Sequence, residues 1–382
     1  MAQEAIAANL RRLRKAHELT QAQLAGAAGL SLAAYRNLET RKSVPRVDTL
    51  QSLAGALDVP IQELVTPVPE FRAVRFRSFK RLKTREQILA DVARWLSDFN
   101  DLEEILADRE EYRLKGFKWS GRRENRPIGA ARWARKLFGL DGGEPVRDIC
   151  GLLEANGIKV RPVRVASDAF FGLSVGPADG GPAIVVNTWE RISVERWIFT
   201  AAHELGHLVL HSQDYDIDER EEGRDSEREA NLFAAHFLMP EEAFAREWED
   251  ACGLAFVDRV FKVKRIFRVS YRTVLYRLSE GLADKAELWR RFQVDFKRRS
   301  GKTLLKEDEP EALAADAFRA SLPESSPAGE PEKLSQADFL EDRLSRLVRK
   351  AVEKSAITLS RGAEVLGLSL QEMRELSASW VG

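Results

Sequence analysis

The sequence predicts an α+β protein, mainly helical with one small β-sheet, in which an all-α N-terminal domain precedes a larger domain and a helical C-terminal region. Three observations carry that expectation. Apolar residues recur at helical spacing over long stretches, as in Ile88, Val92, Trp95, Leu96, Phe99, Leu102 and Leu106. Short segments at 158–162, 169–175 and 183–187 alternate or run apolar between Gly and Pro turns and read as strands. The stretch from Phe199 to His211 contains His203-Glu204-Leu205-Gly206-His207, whose two histidines, four apart, share one face of a helix.

A chain of 382 residues has room for two or three domains. Its 44% hydrophobic and 31% charged residues fit a globular protein with a solvated surface. Net charge is zero, so affinity for nucleic acid must come from local patches. Cys150 and Cys252 are far apart and not at metal-ligand spacing; both are expected to be buried thiols in a reducing, cytoplasmic setting. No leader-like segment opens the chain, and no apolar run approaches the ~20 residues of a membrane span, so no membrane partner is expected.

Residues 1–66 read as five short helices. Thr20 can cap a helix through Ala27, Gly29 makes a turn, and Ser31 can cap the next helix through Glu39, which together make a helix-turn-helix. With Pro45 and the helices between Leu50 and Leu64, the segment resembles the Cro/C1-type (XRE) DNA-binding family. The resemblance implies that the second helix of the pair enters the major groove of double-stranded DNA. Leu32, Ala33, Arg36 and Asn37 would then face the bases, with Gln21 near the backbone or an outer base. Arg36 and Asn37 suit guanine and adenine, whereas Leu32 and Ala33 offer methyl contacts. Arg41 stands where the family has glycine, adding with Lys42 a phosphate contact at the expense of turn geometry. The alternative use of such a pair is protein contact or self-association as a homodimer.

Residues 67–127 read as a connector. Arg72, Arg75, Arg77, Lys80, Arg81, Lys83 and Arg85 form a basic stretch, either a nucleic-acid patch or a solvated face. The apolar stripe from Ile88 to Leu106 is expected to pack on the following domain or on a second copy, and 113–126 reads as a loop. Residues 128–300 form the larger domain, 301–335 an acidic, flexible Pro/Ser-rich linker, and 336–382 a small helical unit. Ile357 to Ser369 resembles a capped helix pair in that unit, read as a docking or dimer module.

The His203–His207 run has the layout of a zinc hydrolase helix. Both imidazoles can reach one ion, and Glu204, one step round, is placed to take a proton from water. The third ligand is sought between Asp225 and Pro240, where Ala230, Phe233, Ala234, Phe237 and Leu238 make one apolar face. Glu227 lies on the edge of that face and is the chosen ligand, while Glu229 falls on another side and reads as solvated. His211 is two turns from His203, too far for an unbent helix to wrap all three histidines round one ion, and reads as a helix-end residue.

The two stretches resemble the ImmA/IrrE family of metallopeptidases, with its F-T-x-A-H-E-L-G-H-x-x-L-H and E-x-x-A-N-x-F-A-x-x-L-M-P patterns, over roughly Ile128 to Trp248. The resemblance implies a gluzincin-like zinc peptidase with Glu227 as third ligand; Mn2+ is a second candidate, since nitrogen and oxygen ligands accept several divalent ions. It further implies cleavage of a repressor or antitoxin during stress or phage response. Asn231 is expected to hold a histidine ligand through its other ring nitrogen. The strand 183–187, just before the histidine helix, is expected at the sheet edge, where zincins hold substrate as an added strand. The expected whole is a DNA-binding regulator fused to an endopeptidase; the alternative is a regulator whose peptidase-like domain senses a ligand or partner.

Overall fold

Local caps set the first helices. In a computed structural model that describes residues 2–67, 71, 74–78, 85–140, 143–211, 224–305, 308–314 and 330–380, the chain opens with α1 (Ala2–Ala16), α2 (Gln21–Ala27), α3 (Leu32–Glu39), α4 (Val47–Leu57) and α5 (Ile61–Val65). The Gln23 N–H donates to Thr20 Oγ1 at 3.2 Å and the Ala34 N–H to Ser31 Oγ at 3.2 Å, the two caps expected from sequence. Leu10, Leu24, Tyr35, Leu53, Leu57 and Leu64 close a core of their own beneath the helix pair.

Four strands make one mixed sheet: β1 (Val74–Ser78), β2 (Lys159–Val163), β3 (Phe170–Val175) and β4 (Ala183–Asn187), in spatial order β1-β3-β4-β2. β3 runs antiparallel to both β1 and β4, and β4 runs parallel to β2. The expectation that 183–187 lies at an edge is therefore wrong. All five β4 residues are buried, the pattern of a central strand covered on both faces, and both its edges are paired. The edge next to β3 is instead filled by β1, a strand within the basic stretch; Arg72, Lys80, Arg81 and Lys83 lie outside the described residues.

The sheet separates two cores. On one side lie α7 (Arg126–Leu137), α8 (Ile149–Glu154), α9 (Val194–Leu210), α10 (Arg224–Leu238), α11 (Glu241–Asp250), α12 (Phe256–Phe267), α13 (Tyr271–Leu278) and α14 (Lys285–Ser300). On the other side, Phe170, Leu173, Val175, Ala183 and Val185 meet the apolar stripe of α6 (Arg85–Leu106). That stripe is covered in turn by α15 (Arg343–Glu353), α16 (Leu359–Leu366) and α17 (Leu370–Ala378) through Leu344, Leu347, Val348, Ala363 and Met373. The C-terminal unit thus docks on this chain's own connector helix. Cys150 is buried as expected, but Cys252 is exposed, because it falls in the turn that ends α11.

Glu154 in α8 ties this docking to the sheet: its carboxylate accepts the N–H groups of Asp342 and Arg343 at 3.3 and 3.2 Å, at the start of α15. Burial pushes its carboxyl up to about 7, against the lowering effect of those two hydrogen bonds. A folded-state value above the unfolded value of ~4.3 gives a contribution that is full at low pH and fades as pH rises through about 7. Thermal melts of the wild type should therefore lose stability across that window, and Glu154→Gln should remove this part of the dependence. Identical pH slopes in the two proteins would contradict the assignment.

The expected flexible linker is also corrected where it is described. Lys264 donates to the Pro310 carbonyl at 2.8 Å and pairs with Glu309 at 2.9 Å, while Arg265 donates to the carbonyls of Leu313 and Glu330 at 2.8 and 2.7 Å. Residues 308–314 and 330–335 thus strap across α12. Their polar composition hid this, because buried cations on α12 bind mainly their backbone oxygens.

Candidate metal centre and helix-turn-helix

Ser193 opens α9, with its hydroxyl accepting the Arg196 N–H at 3.4 Å. The helix is buried from Trp197 to Leu210, with His203, Glu204 and His207 fully enclosed. Gly206 lets α10 approach closely: a Cβ there would lie 3.0 Å from the Phe233 ring. β3 crosses the same helix, since a Cβ on Gly172 would meet Thr200 Cγ2 at 2.6 Å and Glu204 Cγ at 3.5 Å. Two glycines thus set how closely α9 packs, Gly206 toward α10 and Gly172 toward β3.

This packing brings Glu227, in the first turn of α10, to the histidines. His203 Nε2 and His207 Nε2 are 3.0 Å apart, and Glu227 Oε1 lies 3.1 Å from His207 Nε2 and 3.5 Å from His203 Nε2. Ligand atoms about 2.0–2.1 Å from a tetrahedral zinc are separated by about 3.3 Å. The three observed separations bracket that value, and the donor set of two imidazoles and one carboxylate is one that binds divalent cations, so the residues present fit such an ion. Among the described residues, these three form the cluster with this geometry. Asn231 Oδ1 lies 3.1 Å from His203 Nδ1, where it can accept that ring's N–H and leave Nε2 as the ligand atom.

One expectation fails here. Glu229 is not solvated: its side chain is 16% exposed and contacts His211 Nε2 at 3.1 Å and Arg126 Nη1 at 3.2 Å. A helical wheel of α10 alone assigns one buried face, but α10 is packed against α9 on one side and α7 on another. His211 itself caps the end of α9 and is buried.

In the N-terminal domain Ala33, Arg36, Asn37, Arg41 and Lys42 are exposed and Leu32 is half-buried. Gln21 Nε2 donates to Glu39 Oε2 at 2.6 Å, and its Oε1 accepts from Arg36 Nε at 3.3 Å. Sequence reasoning missed Glu39, which is buried and also accepts from Arg14 Nε and the Tyr35 hydroxyl, both at 2.7 Å. Burial alone would raise its carboxyl, but the bonds from Arg14, Tyr35 and Gln21 outweigh it and hold the group below the usual carboxylate range. An acidic residue at the end of an otherwise apolar helical face was the available signal.

Arg41 adopts φ 63°, the left-handed region, as the displaced family glycine suggested. Its ion pair with Glu4 at 3.3 Å is exposed on both sides and adds little. Arg41→Gly is expected to stabilise the N-terminal domain by about 0.5–1 kcal/mol. Chemical denaturation of the two proteins checks this, and a loss of stability in the variant would count against the strain.

The capped helix pair and the buried His/His/Glu cluster define a helix-turn-helix regulator joined to a metallopeptidase-like domain. The family described as helix-turn-helix matches residues 10–64, and a peptidase family described as IrrE N-terminal-like domain matches residues 153–279. The chain is similar to the cryptic phage CTXphi transcriptional repressor RstR of Vibrio cholerae serotype O1, 33% identical over 78 residues that cover 19% of this chain and 70% of that repressor. The chain belongs to the XRE-type helix-turn-helix family, fused here to an ImmA/IrrE-like domain. Among the described residues, no helix is long and apolar enough to cross a membrane.

Proposed function

We propose that the second domain is a zinc-dependent endopeptidase that cleaves a protein substrate, a repressor or antitoxin, and that the helix pair brings it to double-stranded DNA. The observation that carries this reading is the convergence of His203, His207 and Glu227 within 3.0–3.5 Å beside Glu204. A divalent cation bound there would acidify water and polarise a substrate carbonyl. His203 and His207 would hold the ion through Nε2, and Glu227 through a carboxylate oxygen. Glu204, enclosed on the same helix, takes a proton as water attacks the carbonyl carbon and returns it to the leaving amine when the C–N bond breaks. The products are one carboxylate and one amine, with no change of oxidation state. Asn231 keeps His203 in the tautomer that leaves Nε2 available.

For the DNA, Arg36 and Asn37 are the proposed base readers, Leu32 and Ala33 the methyl contacts, and Arg41 and Lys42 the phosphate contacts. Gln21 is bonded to Arg36 and orients it toward the groove. Similarity to a phage repressor supports a phage-linked setting.

The test is to incubate the full chain, with Zn2+ or Mn2+ supplied, with candidate repressors, among them helix-turn-helix proteins encoded beside it, and to map fragments by mass spectrometry. The expected result is one metal-dependent cut that Glu204→Gln slows by about 10²–10⁴-fold. In cells, a regulatory output untouched by Glu204→Gln would instead favour a sensor.

A further inference from the structure

Next to the metal ligands lies a partly buried polar chain that the hydrolytic mechanism does not use. His207 Nδ1 is 3.1 Å from His211 Nδ1, and His211 Nε2 is 3.1 Å from Glu229 Oε2. Arg126 closes the chain, donating to Glu229 Oε2 at 3.2 Å and to the Leu210 carbonyl at 2.5 Å. Arg126 opens α7, His211 ends α9 and Glu229 lies in the first half of α10, so three separate elements meet to assemble it.

We infer that Glu229 and His211 are positioning residues of the metal centre, acting through His207; this rests on the metal-site reading above. Arg126 donates to Glu229 Oε2 and His211 Nε2 faces the same carboxylate oxygen, so Nε2 is the ring nitrogen placed to donate to it. With its hydrogen on Nε2, His211 turns Nδ1 toward His207 Nδ1 as the acceptor for that ring's N–H. His207 is left with its lone pair on Nε2, the atom that faces His203 Nε2 and Glu227 Oε1. Asn231 does the same for His203 in one step; His207 is served in two, ending on the Glu229 carboxylate. A metal-bound imidazole commonly donates its other N–H to a carboxylate or carbonyl, and here a second imidazole relays that role.

Packing alone does not account for the arrangement. Enclosing an imidazole and a carboxylate beside an apolar core has a desolvation cost that an aliphatic pair of similar volume would avoid. Each group in the chain has a partner placed to set the next one's tautomer.

The test is metal affinity of the full-length protein, measured by competition with a chromogenic zinc chelator, for wild type, His211→Leu, Glu229→Leu and the double variant. Each single variant should bind Zn2+ about 10–100-fold more weakly, the range for losing such an outer partner. The double variant should be no weaker than the weaker single, because both remove one relay. Affinities within about twofold of wild type, in variants with unchanged circular dichroism, would overturn the inference. A wild-type chain that binds no Zn2+ would instead bring down the metal reading itself, a separable result. A second measurement needs no variant: 15N spectra of the five histidines should show His211 protonated at Nε2 and His207 at Nδ1. The opposite tautomer at His211 would contradict the relay.

Discussion

Glu204→Gln should leave the fold and the bound cation in place and slow peptide cleavage by about 10²–10⁴-fold, the contribution of a positioned general base. The carboxamide has the shape of the carboxylate, so the enclosed pocket under β3 and within α9 is not disturbed. Glu204 is not one of the three converging ligands, so the ion should remain. What the variant lacks is an acceptor for the proton of the attacking water. Single-turnover cleavage of the mapped substrate, run beside metal content, separates the two properties. A glutamine variant that cuts at the wild-type rate would remove Glu204 from the chemistry.

Glu103→Ala is expected to destabilise the second domain by about 3–5 kcal/mol, the scale for leaving buried charges without their partner. Glu103 sits near the end of α6 with its side chain 2% exposed, 3.1 Å from Lys159 Nζ on β2 and 2.6 Å from Arg343 Nη1 on α15. Burial pulls the Lys159 ammonium down from its ordinary value, and the attraction of Glu103 opposes this. Removing the carboxylate leaves two enclosed cations facing one another and cuts the link between connector, sheet and C-terminal helices. Replacing all three by apolar residues should cost far less, since such triads often break even against hydrophobic substitutes. Urea unfolding followed by tryptophan fluorescence checks both variants; a loss below about 1 kcal/mol for Glu103→Ala would contradict the role given to the cluster.

What could be seen in the sequence follows from which interactions are local. Thr20 and Ser31 cap their helices within three residues, so α2 and α3 were legible from spacing alone. His203, Glu204 and His207 are fixed by one turn of helix, and Glu227 needed only a second amphipathic face. Contacts made across the chain left weaker traces. β1 is five residues long and alternates with arginine, so it read as charge; its partner β3 lies about a hundred residues on. A short apolar strand such as β4 does not say how many neighbours it has. Glu229 and Glu103 are charged residues whose burial is decided by other helices, and a wheel drawn for one helix cannot register that.

The most direct test of the account is the zinc content of the purified full-length chain beside Glu227→Ala and Glu204→Gln, by inductively coupled plasma mass spectrometry. About one zinc per chain is expected in the wild type and in Glu204→Gln, with loss of most of it in Glu227→Ala. Stoichiometric metal that survives Glu227→Ala, or a wild type that takes up none when Zn2+ is supplied, would contradict it.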